Sequence, residues 1–305
     1  MSDTPRWAAV IVNFNAGSAL ERAVRSILAD RATPDAAPEV VVVDNASSDG
    51  SIEALGRALP AARVIRAGAN LGYSAAANLG IAATRAPVIA VCNPDIEIEA
   101  GTASALLARF DAEPDLGAAG PQIRNVDGTV YPSARSQPSL VDAAGHGLLV
   151  LVWATNPFTR RYRQLDADPA RTRDVDWLSG SAIWLRRRAV DEVHGWDEQF
   201  FMYLEDVDLC LRLRAAGWRV TYEPAGRVTH VLGLSTSQHP YRMLVEHHRS
   251  MARFAAKRWH GARRLLLAPM YVYLGVRLLL ALGAHAIGSI ARRSQGRLGT
   301  VRTSK

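Results

Sequence analysis

The sequence predicts an α/β fold with a mostly parallel central sheet, followed by a basic helical tail. Three observations carry this. Over the first 125 residues, short β-rich apolar runs alternate with helical stripes, the rhythm of strand–helix–strand units. Several runs end in Asp and Asn, and the carboxyl ends of the strands are where an open α/β sheet places its ligand. Charge is also unevenly divided. Residues 242–305 hold 13 Lys or Arg against the single acid Glu246, a net +12, so residues 1–241 carry −5 within the chain's +7.

The elements follow in order. Ala8 to Phe14 reads as a buried strand, and Ser18 to Ala29 as a helix with a stripe at Leu20, Val24, Ile27 and Leu28. Glu39 to Val43 is a second strand, ending at Asp44-Asn45. Ser47 to Gly50 is turn chemistry leading into a helix over Ile52 to Leu59. Arg63 to Arg66 is a short third strand, Gly72 to Thr84 an Ala-rich helix, and Val88 to Cys92 a fourth strand. Beyond residue 125 the rhythm breaks. Asp127-Gly128 signals a hairpin, Tyr131 to Pro138 an ordered Pro- and Ser-rich loop, and Asn156 to Thr172 a polar loop. Gly145 to Trp153 is apolar and Ser181 to Leu185 strand-like. Val207 to Ala216 has strand-like spacing, but acids at its start and Gly217 at its end favour a helix. Trp218 to Tyr222 and Ala225 to Val231 read as two strands, and His247 to Trp259 as a basic helix.

The domains expected are residues 1–240 and a tail over 241–305. Leu265 to Ile290 is mostly apolar, but the uncharged stretches on either side of Arg277 run only 12 residues (265–276) and 14 residues (278–291). These fall short of the ~20 residues of a spanning helix. One or two helices lying in the membrane interface are expected, with Arg263-Arg264 and Arg292-Arg293 meeting anionic lipid. A helix packed on the main domain is the alternative. The acidic main body argues against nucleic acid as a partner. Two cysteines in apolar runs exclude a disulfide framework and point to a reducing compartment, and the N-terminus has no signal-peptide core. No zinc spacing, Walker pattern or Gly-x-Ser-x-Gly occurs.

Two acidic clusters carry the chemistry: Asn93-Pro94-Asp95 after the fourth strand, and Glu205-Asp206-Val207-Asp208. Chemistry on a nucleotide-sugar needs one carboxylate to hold a metal against a diphosphate and another to take the proton of the attacking hydroxyl. Either cluster alone is equally well a cap or turn. Asp44, at a strand end, can accept the imide N–H of a pyrimidine, or simply cap. Gly72, after Asn70, can let backbone approach a nucleotide. Asp95 is the one anionic ligand in its cluster, and His230 is a possible second metal ligand or a structural histidine.

Taken together, Asp44-Asn-Ala-Ser-Ser-Asp-Gly50, Asn70-Leu-Gly72, Asn93-Pro-Asp95 and Glu205-Asp206-Val-Asp208 resemble family 2 glycosyltransferases of the GT-A fold. Within that family, Asp127 to Arg135, Trp177 to Ser181 and Gly195 to Tyr203 are similar to the rhamnosyltransferases that act on a polyprenyl-diphosphate-linked GlcNAc in building the arabinogalactan linker. The resemblance implies an inverting enzyme using dTDP-rhamnose and Mg²⁺ or Mn²⁺, peripheral on the cytoplasmic face of the membrane. It implies Asp206 as base with Glu205 beside it, and Asn13, Asn15, Asp44, Asn70, Gly72, Asn93 and Asp95 on the nucleotide-sugar. Trp177, Ser179, Gly180, Asp208 and Arg135 fall on the acceptor side, Arg135 either against the lipid diphosphate or as a surface arginine. Asp95 and His230 are the metal candidates. The single Asp of Asn93-Pro-Asp95 departs from the family's two-aspartate pattern. A transferase moving another sugar and a non-catalytic nucleotide-binding scaffold remain rivals, and a homo-oligomer stays open.

Overall fold

The computed structural model describes residues 5–30, 37–150, 153–230 and 240–301, with residues 140, 284 and 287–301 described by backbone alone. The chain divides into two compact units. One holds Met1–Phe201 and Glu205–Ser235, the other Met202–Leu204 and Thr236–Lys305.

The first unit is built on β1 (Trp7–Asn13), α1 (Ser18–Ala29), β2 (Glu39–Asp44), α2 (Ser51–Ala58), β3 (Arg63–Arg66), α3 (Tyr73–Ala82) and β4 (Val88–Cys92). These match the expected elements, with ends shifted by a residue or two. Strands β3, β2, β1 and β4 lie side by side and parallel. β1 is buried along its whole length because helices cover both faces. The Ala-rich character of α3 has a packing cause: a Cβ on Gly80 would lie 2.2 Å from Val10 Cγ1, so the helix sits hard against the sheet.

The expected rhythm omitted β5 (Ile96–Ile98), α4 (Thr102–Ala112) and β6 (Leu116–Asn125). Leu106, Leu107 and Phe110 of α4 are buried in the core with Ile96 and Leu116. The hairpin at Asp127-Gly128 forms: Gly128 N–H donates to Asn125 O, and Arg124 bridges Val130. The segment from 131 to 178 contains β7 (Ala134–Arg135), α5 (Leu140–Leu149), α6 (Pro157–Tyr162), β8 (Arg173–Asp174) and β9 (Trp177–Leu178), so part of the expected polar loop is helical. Pro157 at the first turn of α6 and the Asn156 side chain, which accepts from Thr159 N–H, explain why.

β10 (Ala182–Arg186) corrects the simple parallel picture. It lies between β4 and β6, antiparallel to both. After α7 (Arg187–Glu192), α8 (Glu205–Ala215) is a helix as expected. Its burial at 205, 207–211 and 213 runs almost all round, which is why no clear helical stripe appears in the sequence. The two strands expected after it are one, β11 (Arg219–His230), parallel to β6 with a register irregularity between Glu223 and Arg227. Pro224 falls inside that irregularity, where a missing N–H is tolerated. Val231 and residues 151–152 lie outside the described residues.

The second unit contains α9 (Pro240–Arg258), a short 3₁₀ turn (Gly261–Leu266) and α10 (Leu267–Val301). Pro269 does not interrupt α10 because it sits in the first turn, where its N–H has no intrahelical acceptor. Arg277 donates to His248 Nε2 of α9 at 2.9 Å, so the charge in the apolar stretch is turned onto the neighbouring helix. Leu265, Val272, Val276, Leu279 and Leu280 are exposed. By length and composition Gly261–Gly283 is long and apolar enough to cross a membrane, with mean hydropathy 2.0. The Arg292 and Arg293 side chains are outside the description.

Candidate active site

The site forms where β1, β2 and β4 end. The β1–β2 register sets Asn13 opposite Asp44, both buried. Asn13 Nδ2 donates to Ser47 Oγ (3.0 Å) and Ser51 Oγ (3.2 Å), and Asp44 Oδ1 accepts from Ser47 N–H (3.2 Å). Asn15, in the left-handed region at φ 50°, accepts from Ser48 N–H. Asp49 caps and ties: it accepts from Gly17 N–H and from Ser51 N–H and Oγ. Asn70 Oδ1 accepts from Gly72 N–H, and Asn45 spans the same turn by donating to Gly72 O and accepting from Leu71 N–H. Asn45 was not among the expected site residues. These groups form one polar wall.

Gly72 plays a different part from the one expected. Its φ is 86°, and a Cβ there would lie 2.5 Å from Phe201 O. The backbone that approaches it belongs to the protein, and Tyr73 N–H donates to Phe201 O at 2.7 Å. The 195–201 loop is also held by Asn78, which accepts from Trp196 N–H and donates to Trp196 O and Glu198.

The inserted strand β10 assembles the rest. It runs antiparallel to β4, so its start lies at the end of β4, and Asn93 N–H donates to Ser181 O at 2.9 Å. The loop Trp177 to Ser181 is thereby fixed beside Asn93-Pro94-Asp95. Gly180 N–H donates to Asp206 Oδ2 at 2.9 Å, and Gly180 O accepts from the Tyr73 hydroxyl at 2.8 Å. Pairing of β5 with β11 sets His230 opposite Ile96, and His230 Nε2 lies 3.0 Å from Asp95 Oδ1. Both are buried, and His230 Nδ1 has no hydrogen-bond partner among the described residues.

The three acids of the second cluster have different surroundings. Asp206 is half-buried at the start of α8. Burial raises its pKa above the ordinary value, opposed by the N–H groups of Gly180 and Val207 and by the Arg135 charge. Glu205 is buried, its Oε2 has no hydrogen-bond partner among the described residues, and burial followed by the neighbouring Asp206 pushes its pKa well above the ordinary value. The fold therefore favours its protonated form. Asp208 does not line an acceptor surface: it is fully buried and ion-paired with Arg212 at 2.6 Å, while Arg212 donates to Val193 O and Gly195 O. Its assignment to the acceptor side is therefore corrected to a structural one.

Arg135 lies on β7 opposite Trp177 of β9. Its guanidinium stands 4.7 Å from the Trp177 ring centroid, 5.5 Å from Tyr131 and 5.7 Å from Tyr162. Burial works against its charge, but the Tyr131 and Tyr162 oxygens and the Asp206 carboxylate together more than offset this. Ser179 N–H donates to Ser133 O, tying this strand pair to the base loop. Cys92 and Cys210 are free and buried, with burial pushing both thiols up to about 12.

A sheet-end polar wall, a buried Asp–His pair and a half-buried carboxylate with a raised pKa make up the candidate site. Residues 8–193 match the model of glycosyl transferase family 2, and residues 153–285 that of glycosyl transferase family group 2. The chain belongs to glycosyl transferase family 2 and is a glycosyltransferase. It is 40% identical over 300 residues to the N-acetylglucosaminyl-diphospho-decaprenol L-rhamnosyltransferase of Mycobacterium tuberculosis, covering 94% of this chain and 95% of that one. Among solved structures, the mannosyltransferase PcManGT from Pyrobaculum calidifontis, in complex with GDP-Man and Mn²⁺, aligns with a TM-score of 0.57 at 17% identity, over 97% of this chain and 81% of that one. GalNAc-T7 with UDP, GalNAc and Mn²⁺ aligns with a TM-score of 0.56 at 16% identity, over 76% and 44%. These likenesses agree with a GT-A architecture.

Proposed function

We propose that this glycosyltransferase moves L-rhamnose from dTDP-rhamnose, with inversion, onto GlcNAc linked to a polyprenyl diphosphate, as a step in arabinogalactan-linker synthesis. The observation that carries the chemistry is the Gly180–Asp206 hydrogen bond, which aims one lone pair of the carboxylate and leaves the residue half-buried beside the Asn93-Pro94-Asp95 turn. The name of the Mycobacterium tuberculosis relative supports the sugar and the lipid acceptor.

Asp206 takes the proton of the acceptor hydroxyl as its oxygen bonds to the anomeric carbon and the bond to thymidine diphosphate breaks. Glu205, buried beside it, is shifted toward its protonated form. Asn13, Asn15, Asp44 and Asn70 line the nucleotide side, while Trp177, Ser179 and Arg135 face the acceptor side. A divalent ion, Mg²⁺ or Mn²⁺, fits the Asp95–His230 pair: a carboxylate and an imidazole nitrogen already 3.0 Å apart. Two protein ligands leave positions for the donor's diphosphate oxygens. Bound there, the ion would neutralise charge on the leaving diphosphate.

Residues 1–240 form the transferase domain and 241–305 a tail on the cytoplasmic face of the membrane. The exposed Leu265, Val272, Val276 and Leu279 support its insertion into the interface, with Arg263 and Arg264 at the headgroups. The test is product analysis with synthetic GlcNAc-diphospho-polyprenol and a panel of nucleotide-sugars. Transfer from dTDP-rhamnose alone sustains the reading. Preference for a UDP- or GDP-sugar replaces it with a related transferase.

A further inference from the structure

Tyr73 is the one aromatic residue of the Ala-rich helix α3, and the chemistry so far gives it no part. It is buried, and three separate contacts hold it. Its N–H donates to Phe201 O at 2.7 Å. Its ring meets the Trp196 ring edge-on, with centroids 5.6 Å apart. Its hydroxyl donates to Gly180 O at 2.8 Å. The backbone just before it is held as well, since Asn45 donates to Gly72 O. A side chain fixed at both ends acts as a strut. Burial raises the pKa of the phenol well above the ordinary value, helped by Cys92 and the carboxylates of Glu205, Asp206 and Asp95. The hydroxyl therefore keeps its proton and remains a donor.

The strut ends on the residue least able to hold itself in place. Gly180 has no side chain, and glycine backbone is freer to rotate than any other. Both polar backbone groups of Gly180 are nevertheless committed. The N–H donates to Asp206 Oδ2 at 2.9 Å, and the carbonyl accepts from Tyr73. These two groups flank one Cα, so fixing the carbonyl limits rotation about the bonds that aim the N–H. Two other bonds steady the loop, Ser179 N–H to Ser133 O and Asn93 N–H to Ser181 O, but both act on the residues beside Gly180. The Tyr73 phenol is buried and gives its proton to Gly180 O, so it reaches the reaction through that loop.

We propose that Tyr73 is a positioning residue for the transfer: its hydroxyl locks Gly180 so that the Gly180 N–H holds the Asp206 carboxylate in the orientation that takes the acceptor's proton. This rests on Asp206 as the base proposed above. Without the hydroxyl, Gly180 O loses its donor, the peptide groups of Gly180 turn, and the N–H leaves the carboxylate. Asp206 then loses a bond that favours its ionised form.

The experiment uses the full chain as wild type, Tyr73→Phe, Asp206→Asn and the double variant, each checked by thermal melt. Tyr73→Phe keeps the ring against Trp196 and removes only the oxygen. Single-turnover transfer from dTDP-rhamnose to GlcNAc-diphospho-polyprenol should slow about 10- to 100-fold, the size of effect that misplacing a reacting group produces. Binding of dTDP, read by calorimetry, should stay within about twofold. The acid limb of the rate should move to higher pH by about half a unit or more, because the base has lost a hydrogen bond to its charged form. Glu205, Arg135, Tyr162 and Cys210, the other titratable groups that share the surroundings of Asp206, are unchanged by the substitution. In the Asp206→Asn background the same change should cost less than about twofold, since it acts through that carboxylate. Equal losses in both backgrounds would make Tyr73 a structural residue and overturn the proposal. So would weaker dTDP binding with a normal single-turnover rate, or no loss. In parallel, the Asp206 carboxyl is titrated by carbon NMR in wild type and Tyr73→Phe, its signal assigned by its absence in Asp206→Asn. A higher pKa in Tyr73→Phe sustains the proposal, and an equal one overturns it. This arm reads the hold of Tyr73 on Asp206 even if rhamnose transfer fails, so the two proposals fall separately.

Discussion

Gly180 and Asp206 meet through one backbone hydrogen bond of 2.9 Å, and a Cβ on Gly180 would lie 3.2 Å from Asp206 Cβ. The glycine therefore supplies both the N–H that orients the carboxylate and the space it occupies. The loop carrying it is held by Asn93 on one side and by the Tyr73 hydroxyl on the other. Asp206 is thus tied to the polar wall at the strand ends through the protein's own backbone.

The roles of the two adjacent acids separate by isosteric substitution. Asp206→Asn keeps the shape and removes the proton acceptor, so turnover should fall about 10²–10⁴-fold. Glu205→Gln keeps the shape and resembles the protonated form that burial favours, so turnover should fall far less than in Asp206→Asn. Single-turnover transfer measures both, and near-normal turnover of Asp206→Asn would remove it from the role.

The pH dependence follows from the directions of these shifts. Asp206 works ionised and its pKa is raised above the ordinary 3.8, so activity should be lost as pH falls through that raised value. Arg135→Met removes a charge that opposes the shift, so the acid limb of kcat/KM should move to higher pH. Glu205 has a folded pKa raised above its unfolded value, so its stabilising protonation is complete below about 4.5 and lost as pH rises through the folded value. Glu205→Gln should therefore gain stability over wild type as pH rises above about 4.5, read by denaturant unfolding.

Gly72→Ala places a methyl group 2.5 Å from Phe201 O at φ 86°. Strain of this kind costs about 1–3 kcal/mol, and the 195–201 loop must move with it. The melting temperature should drop by roughly 2–4 °C per kcal/mol. An unchanged melting temperature would show that Phe201 yields freely.

EDTA should abolish transfer, and Mg²⁺ or Mn²⁺ should restore it. Asp95→Asn and His230→Ala should each weaken dTDP binding in the presence of Mn²⁺ by about tenfold or more, with little change in its absence. Calorimetry with and without the ion checks this, and full activity in chelator would sink the metal assignment.

For the tail, Arg263→Gln with Arg264→Gln removes two exposed charges worth about 1 kcal/mol each at an anionic surface. Partitioning onto anionic vesicles should weaken about 30-fold, and binding to neutral vesicles should change little. Equal binding to both vesicle types by wild type would assign the tail to apolar insertion alone.

The sequence by itself determined the strand–helix alternation of β1 to β4 and the position of Asp44 and Asp95 at strand ends. Apolar runs, helical stripes and turn acids are local patterns, set by residues within a turn or two of each other. It also marked Asp206 and the charge division at the tail, both features of composition. Only the tertiary structure decided the rest. The antiparallel course of β10 leaves no mark in five apolar residues, yet it brings Gly180 to Asp206. Gly72 was visible as a glycine, but its reason, the Phe201 carbonyl, comes from far along the chain. Helix α8 hid its period because it is buried nearly all round. Asp208 looked like its two acidic neighbours until packing paired it with Arg212. Local pattern specifies which element a residue joins; which partner it meets depends on long-range pairing that the local sequence does not encode.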